Sequence, residues 1–172
     1  MNEKRKHDAY FYQTMGFDGE GVQMLINFIN QNEGRLLVGI QSSGGRSGIS
    51  QMVLKILNDN AERITLCAVS GVYSAAFEVF KGFQGQKAMT DNTLGMAHYG
   101  KNDFNLHTNG RPVYFEDEAV LLQNKKAAPK EVAKAESYMT PSELRRFKKG
   151  DEVYFSFDRM KELFPNAEII EW

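Results

Sequence analysis

Between residues 10 and 98 the sequence alternates short apolar runs with segments whose apolar residues recur at helical spacing, and few architectures accept that alternation. Tyr10-Phe11-Tyr12 is a short aromatic strand candidate. From Gly21 onward, Val22, Leu25, Ile26 and Ile29 fall on one helical face, and Gly34 supplies the stop. Arg35 to Ile40 is expected to be a buried strand that Ser42-Ser43-Gly44-Gly45 breaks, and Ile49, Met52, Val53, Ile56 and Leu57 mark a second amphipathic helix. The apolar run Ile64 to Val69 predicts a third strand, and Ser74 to Phe83 a third helix. Short strands follow at Lys87 to Thr90 and from Leu94 toward Gly100. Parallel strands need crossover connections, and those are right-handed, so single helices between strands imply a largely parallel sheet. The expected class is α/β.

With 172 residues, 42 % of them hydrophobic, the chain is long enough for one cored domain and short for two, so a single domain over 1–172 is expected. Residues 1–8 are expected to form its basic, mobile tail. A net charge of −1 leaves no footprint for nucleic acid, and no apolar run approaches a membrane span. No signal-peptide pattern follows the polar start. The single cysteine, Cys67, lies inside a strand candidate and is expected to be a packing thiol. A soluble, reducing, cytoplasmic setting fits best. None of the three histidines has metal-ligand spacing with another, so no metal is expected. The glycine pair at 44–45 lacks the Lys-Ser/Thr of a phosphate loop and the third glycine of a dinucleotide fingerprint, and no cofactor is expected.

The chemistry gathers at two strand ends. In Val69-Ser70-Gly71-Val72-Tyr73-Ser74-Ala75-Ala76, small residues let the backbone pass closely, and Gly71 can supply an unusual φ. Ser74 stands where the new helix begins, and unpaired amides there favour negative charge. Its hydroxyl is either a nucleophile beside an oxyanion site or an ordinary helix cap. Ser42 to Gly45 ends the preceding strand, where open α/β sheets gather ligands, and is either an oxyanion loop or a plain turn. His98 ends the Leu94 run, a place from which an imidazole can reach a neighbouring strand end.

Ser-Ser-Gly-Gly at 42–45, Gly-Val-Tyr-Ser-Ala-Ala at 71–76 and Met-Ala-His at 96–98, in that order, resemble the Clp protease proteolytic-subunit family. The similarity covers residues 20 to 100 well and 135 to 152 loosely. It implies a ClpP/crotonase-like fold, a repeated β-β-α/βαβ spiral around a largely parallel central sheet. It implies a serine endopeptidase that hydrolyses peptide bonds through an acyl-enzyme, with peptide or polypeptide substrates. Ser74 would be the nucleophile, His98 the general base, and the amides of Gly45 and Ala75 the oxyanion hole. The carboxylate that orients the imidazole would be Glu136, ahead of Met139-Thr140-Pro141, with Asp151 as the fallback. The resemblance also implies a homo-oligomer and leaves an ATPase partner open.

The chain departs from that family between about 100 and 135, where a long handle helix is expected and a shorter segment stands. Asn109-Gly110-Arg111-Pro112 is a turn, Val113-Tyr114-Phe115 follows it, and Glu116 to Lys126 is a helix candidate that Pro129 ends or restarts. Beyond it, Ser142 to Lys149 is expected to be a short helix starting at Pro141, with Arg145, Arg146, Lys148 and Lys149 on a solvated face. Glu152 to Phe157 alternates like a strand, Asp158 caps a helix from Arg159 to Phe164, and Ala167 to Ile170 is a last strand. Phe155, Phe157, Leu163 and Phe164 are expected in the core or a subunit contact. Two other functions remain open: an inactive assembly protein of the same fold, and a crotonase-like acyl-CoA enzyme. The second does not need a serine and a histidine together.

Overall fold

The computed structural model describes residues 7–17, 19–98, 105–108, 111–114 and 129–172. The basic start at 1–6, Tyr99-Gly100, Asn109-Gly110 and the Glu116 to Lys126 helix candidate lie outside the described residues; Arg111-Pro112, expected to complete a turn with Asn109-Gly110, instead opens a strand paired with residues 105–108. The chain divides into two compact units, Met1–Ala97 with Tyr154–Trp172, and His98–Val153.

The first unit opens with β1 (Ala9–Phe17), α1 (Gly19–Gln31), β2 (Leu36–Gly45), α2 (Ser47–Asn58), β3 (Ile64–Tyr73) and α3 (Ala75–Gly82). β4 (Gln86–Met89) and β5 (Leu94–Ala97) follow. After the second unit the chain returns through β8 (Val153–Phe155), α6 (Phe157–Leu163) and β9 (Glu168–Ile169). The sheet runs β1-β2-β3-β4-β9, with β5 beside β3 and β8 beside β5. Its pairs β1–β2, β2–β3, β3–β4, β3–β5 and β4–β9 are all parallel. Consecutive neighbours joined by right-handed crossovers place their helices on one face of the sheet.

β3 is the strand on which this arrangement turns. It pairs with β4 up to Ala68↔Met89 and with β5 from Gly71↔Leu94, so it changes partner along one edge. On the other edge it advances from Ala68 to Val72 while β2 advances only from Ile40 to Ser42. The surplus residues form a bulge in which Ser70 takes φ 59°. Its freed backbone groups are met by the β4–β5 turn. Ser70 N donates to Thr90 Oγ1 at 3.1 Å, and the Thr93 hydroxyl donates to Ala68 O at 2.8 Å. The sequence pattern ended this strand at Val69; the Thr90 and Thr93 hydroxyls of the β4–β5 turn, which no strand pattern registers, help to carry it on to Tyr73. β2 likewise continues through Ser42 to Gly45 instead of breaking, because β1 keeps pairing with it as far as Phe17↔Gly45.

The core lies between sheet and helices. Phe77 and Phe80 of α3, and Phe83 just after it, are at most 1 % exposed, as is Phe155 of β8. The Phe77 ring lies 5.1 Å from Phe155, and Phe164 sets its edge against Phe80 at 5.0 Å. A side chain at Gly95 would strike Met160 Sδ at 2.6 Å, so this glycine lets α6 close on β5. Ser156, not Asp158, caps α6, its hydroxyl accepting from Arg159 N at 3.3 Å. Ser156 holds the extended conformation of a cap (φ −65°, ψ 167°), whereas Asp158 is already inside the first turn. His7 and Asp8, assigned by sequence to a mobile tail, are tied to the sheet: His7 Nε2 is 3.0 Å from Thr65 Oγ1, and Asp8 N donates to Arg35 O at 2.7 Å.

The second unit holds an antiparallel ribbon, β6 (Asn105–Thr108) with β7 (Arg111–Tyr114). It also holds α4, helical at residues 129–136, and α5 (Pro141–Lys148). Thr140 and Glu143 form a capping box at the start of α5, each side chain accepting from the other's backbone amide, with Pro141 at the first helical position. Arg145, Arg146 and Lys148 occupy its last turn, where cations complement the helix dipole.

Cys67 is fully buried in β3, and burial pushes its thiol up to about 12. The thiolate is the reactive form. Native protein at pH 8 is therefore expected to resist iodoacetamide, and to react within minutes once unfolded in guanidinium; labelling at equal rates in both states would contradict the burial.

Candidate active site

Ser74 is the hinge between β3 and α3. Its N–H donates to Met96 O of β5 at 2.7 Å, and its carbonyl accepts the first helical bond, from Glu78 N at 3.1 Å. Its backbone sits at φ 54°, ψ −122°, a region that suits glycine, and among the described non-glycine residues only Ser70 shares a positive φ. The side chain makes no capping hydrogen bond to α3. Ser74 holds the N-cap position, but by its backbone alone. The serine thus sits in a strained strand-to-helix turn, and its side chain does not cap the helix that follows.

The turn is fixed by what packs against it. A Cβ built on Gly44, at φ +103°, would lie 2.8 Å from Ser74 Cβ, 2.8 Å from Tyr73 O and 3.1 Å from Ala75 N. The end of β2 thus runs backbone-first against the serine, an approach only glycine permits. Gly44 N donates to Ser42 Oγ at 3.0 Å, which locks the loop from within. Gly45, at φ +147°, ends β2 beside this contact. The amide of Ala75 is the first of α3, one of the donors that helix geometry leaves without an intrahelical acceptor. Ser74, Ala75 and Gly44 are therefore brought together within the first unit, with Gly45 next in the chain.

Gly71 has a different part from the one its sequence suggests. The positive φ falls on Ser70 and Ser74, and Gly71 instead makes room for Tyr73, whose hydroxyl a Cβ there would meet at 2.7 Å. The Tyr73 ring in turn stands edge-on to Tyr154, 6.2 Å away. Neither this seat nor the Ser42 hydroxyl behind Gly44 was picked out from the sequence; the Ser-Ser-Gly-Gly spacing was the available signal for Ser42.

His98 directly follows β5 and is the first residue of the second unit, half-buried. Glu136 closes α4 in that unit, and its Oε1 accepts from Lys148 Nζ at 3.1 Å, with both side chains about half exposed. Asp151 follows Gly150, is exposed, and uses its N–H on Arg146 O at 3.1 Å. Among the described residues no group of three or more His, Cys, Asp or Glu side chains could hold a metal ion.

Replacing Gly44 by alanine places a methyl group against backbone at a φ that L residues rarely adopt, which costs about 1–3 kcal/mol. Gly44→Ala is expected to lower the denaturation midpoint and to displace Ser74, read as altered backbone shifts at Ser74 and Ala75 by NMR. A variant with wild-type stability and unmoved resonances there would disprove the packing.

No protein-family model matches the sequence, and no curated protein sequence matches it. Solved structures do match the fold. A ClpP1 mutant from Listeria monocytogenes superposes with a TM-score of 0.63 at 15 % identity, covering 95 % of this chain and 91 % of that one. The ClpP protease catalytic domain from Plasmodium falciparum gives 0.60 at 19 % identity, covering 95 % and 85 %. Similarity at that level of identity speaks for architecture, and the architecture is clear: this chain has a ClpP-like α/β fold around a mostly parallel central sheet.

Proposed function

We propose that this protein is a serine peptidase of ClpP-like type, hydrolysing peptide bonds through an acyl-enzyme. The observation that carries the proposal is Ser74 itself, strained at a strand-to-helix turn, its side chain not used as a cap, and faced by the Gly44 backbone. A backbone strain of about 1–3 kcal/mol at a half-buried serine, where glycine would fit without it, is more economically explained by chemistry than by folding.

In this mechanism His98 takes the proton from Ser74 Oγ as the hydroxyl attacks the scissile carbonyl. The carbonyl oxygen becomes an oxyanion that the Gly45 and Ala75 amides stabilise, and preorganised donors of this kind contribute about 10²–10³ in rate each. The imidazolium then protonates the leaving amine, and water, activated by the same imidazole, releases the acyl group. Glu136 is assigned the orientation of His98, and its Lys148 ion pair is the observation that favours the alternative, a Ser74–His98 dyad. Assembly with further copies of the chain, with peptides as substrates, belongs to the same proposal.

Labelling with a fluorophosphonate, followed by mass spectrometry, is expected to tag Ser74, and Ser74→Ala is expected to abolish both labelling and peptide turnover with the fold retained. An unlabelled, inactive wild-type chain would favour the assembly protein instead. For the carboxylate, kcat and KM are compared in Glu136→Gln and Asp151→Asn on one fluorogenic peptide. If Glu136 orients the imidazole, Glu136→Gln loses several orders of magnitude in kcat with KM little changed, and Asp151→Asn stays near wild type. The reverse pattern moves the role to Asp151, and two active variants establish the dyad.

A further inference from the structure

One face of the first unit's sheet carries a row of residues set by register: Tyr12, Gly39, Cys67, Ala88 and Glu168 on β1, β2, β3, β4 and β9. The second of them is a glycine. A Cβ on Gly39 would lie 2.6 Å from Cζ2 and 2.9 Å from Cζ3 of Trp172, so the indole rests directly on the strand backbone. Tyr12 flanks it, ring centres 5.3 Å apart. Next to the indole, Ile170 packs on a buried cluster of Leu37, Cys67, Val69 and Ala88. The segment that follows β9 therefore lies across the sheet, with Ile170 on the apolar side chains of that cluster.

Its hold is slight for the area it covers. β9 pairs with β4 over two residues only, and Ile170 N adds one bond to Met89 O at 3.0 Å. Ile169 and Trp172 each remain 45 % exposed. The segment also forms one wall of an open cleft of about 560 Å³, lined otherwise by Val69, Ser70, Thr90, Asp91 and Asn92. Few bonds, half-exposed anchors and open space on one side are the marks of an element that opens well below the free energy of global unfolding.

We propose that Ile170–Trp172 is a releasable strap, seated by its indole in a slot floored by Gly39, whose undocking uncovers the apolar face formed by Leu37, Cys67, Val69 and Ala88. This proposal stands apart from the chemistry at Ser74, since neither its residues nor its test involve that serine.

Trp172 is the sole tryptophan, so protein grown with 5-fluorotryptophan gives a single fluorine resonance that reports the slot. In the wild-type chain this resonance is expected away from its position in urea, and on warming it moves to the free position below the temperature at which circular dichroism shows the sheet melting. Gly39→Ala is expected to hold the resonance at the free position at all temperatures with the circular dichroism of the native chain, and to raise the rate of Cys67 alkylation at least tenfold. Should Gly39→Ala fail to fold, Tyr12→Ala, which changes an exposed ring, is expected to lower the strap's transition temperature. A resonance that moves only with global unfolding in both the wild type and the foldable variant overturns the proposal, as does a Gly39→Ala chain that keeps the wild-type resonance.

Discussion

The surplus of residues in β3 between Ala68 and Val72 is the constraint on which the first unit depends. A strand in regular register with both neighbours would stay beside β4 to its end and leave β5 without a partner. The bulge lets one strand serve two neighbours on the same edge, and it moves Tyr73 and Ser74 forward relative to β2. The carbonyl of Tyr73 and the Cβ of Ser74 then come to lie against Gly44. Bulges re-aim side chains at strand ends, and here the re-aimed side chain is the serine. The hydroxyls of Thr90 and Thr93 make this possible by satisfying backbone groups that the regular ladder no longer reaches.

Strain at Ser74 persists because the elements on either side are held strongly. On one side β3 is paired along both edges. On the other, α3 is anchored by Phe77 and Phe80, and a buried phenylalanine contributes about 3–5 kcal/mol by the cost of its truncation to alanine. Against two such anchors, a backbone strain of about 1–3 kcal/mol is tolerable. The same comparison explains why the turn does not relax: relaxation would pull α3 off Phe155 and Phe164, which costs more than the strain it relieves.

Periodicity made the frame legible. Val22, Leu25 and Ile29 do form the buried stripe of α1, and Val53 and Leu57 that of α2, because amphipathic helices on an apolar sheet leave little choice. The order of the Ser-Ser-Gly-Gly, Ser-Ala-Ala and Met-Ala-His segments pointed to the fold that the solved structures share. What escaped the sequence has a common cause. A positive φ is expected on glycine, so Gly71 drew attention while Ser70 and Ser74 carry the conformation. Ser156 and Asp158 are both good caps, and only backbone angles choose between them. Gly39 is silent in a strand pattern, since its significance lies in a ring at the far end of the chain that no local rule connects to it.

The first unit is also discontinuous, and that has a consequence in time. During synthesis β4 and β5 emerge long before β8 and β9, the strands that flank them in the finished sheet. Until residues 154–172 leave the ribosome, the outer edges of β4 and β5 offer unpaired backbone to any extended chain nearby. Neighbouring nascent copies on one polysome present the same edges at the same moment. The interval between translating residue 97 and residue 154 is thus the period of greatest exposure to mispairing, and synonymous codons that lengthen it should lower the yield of native protein without altering a single residue.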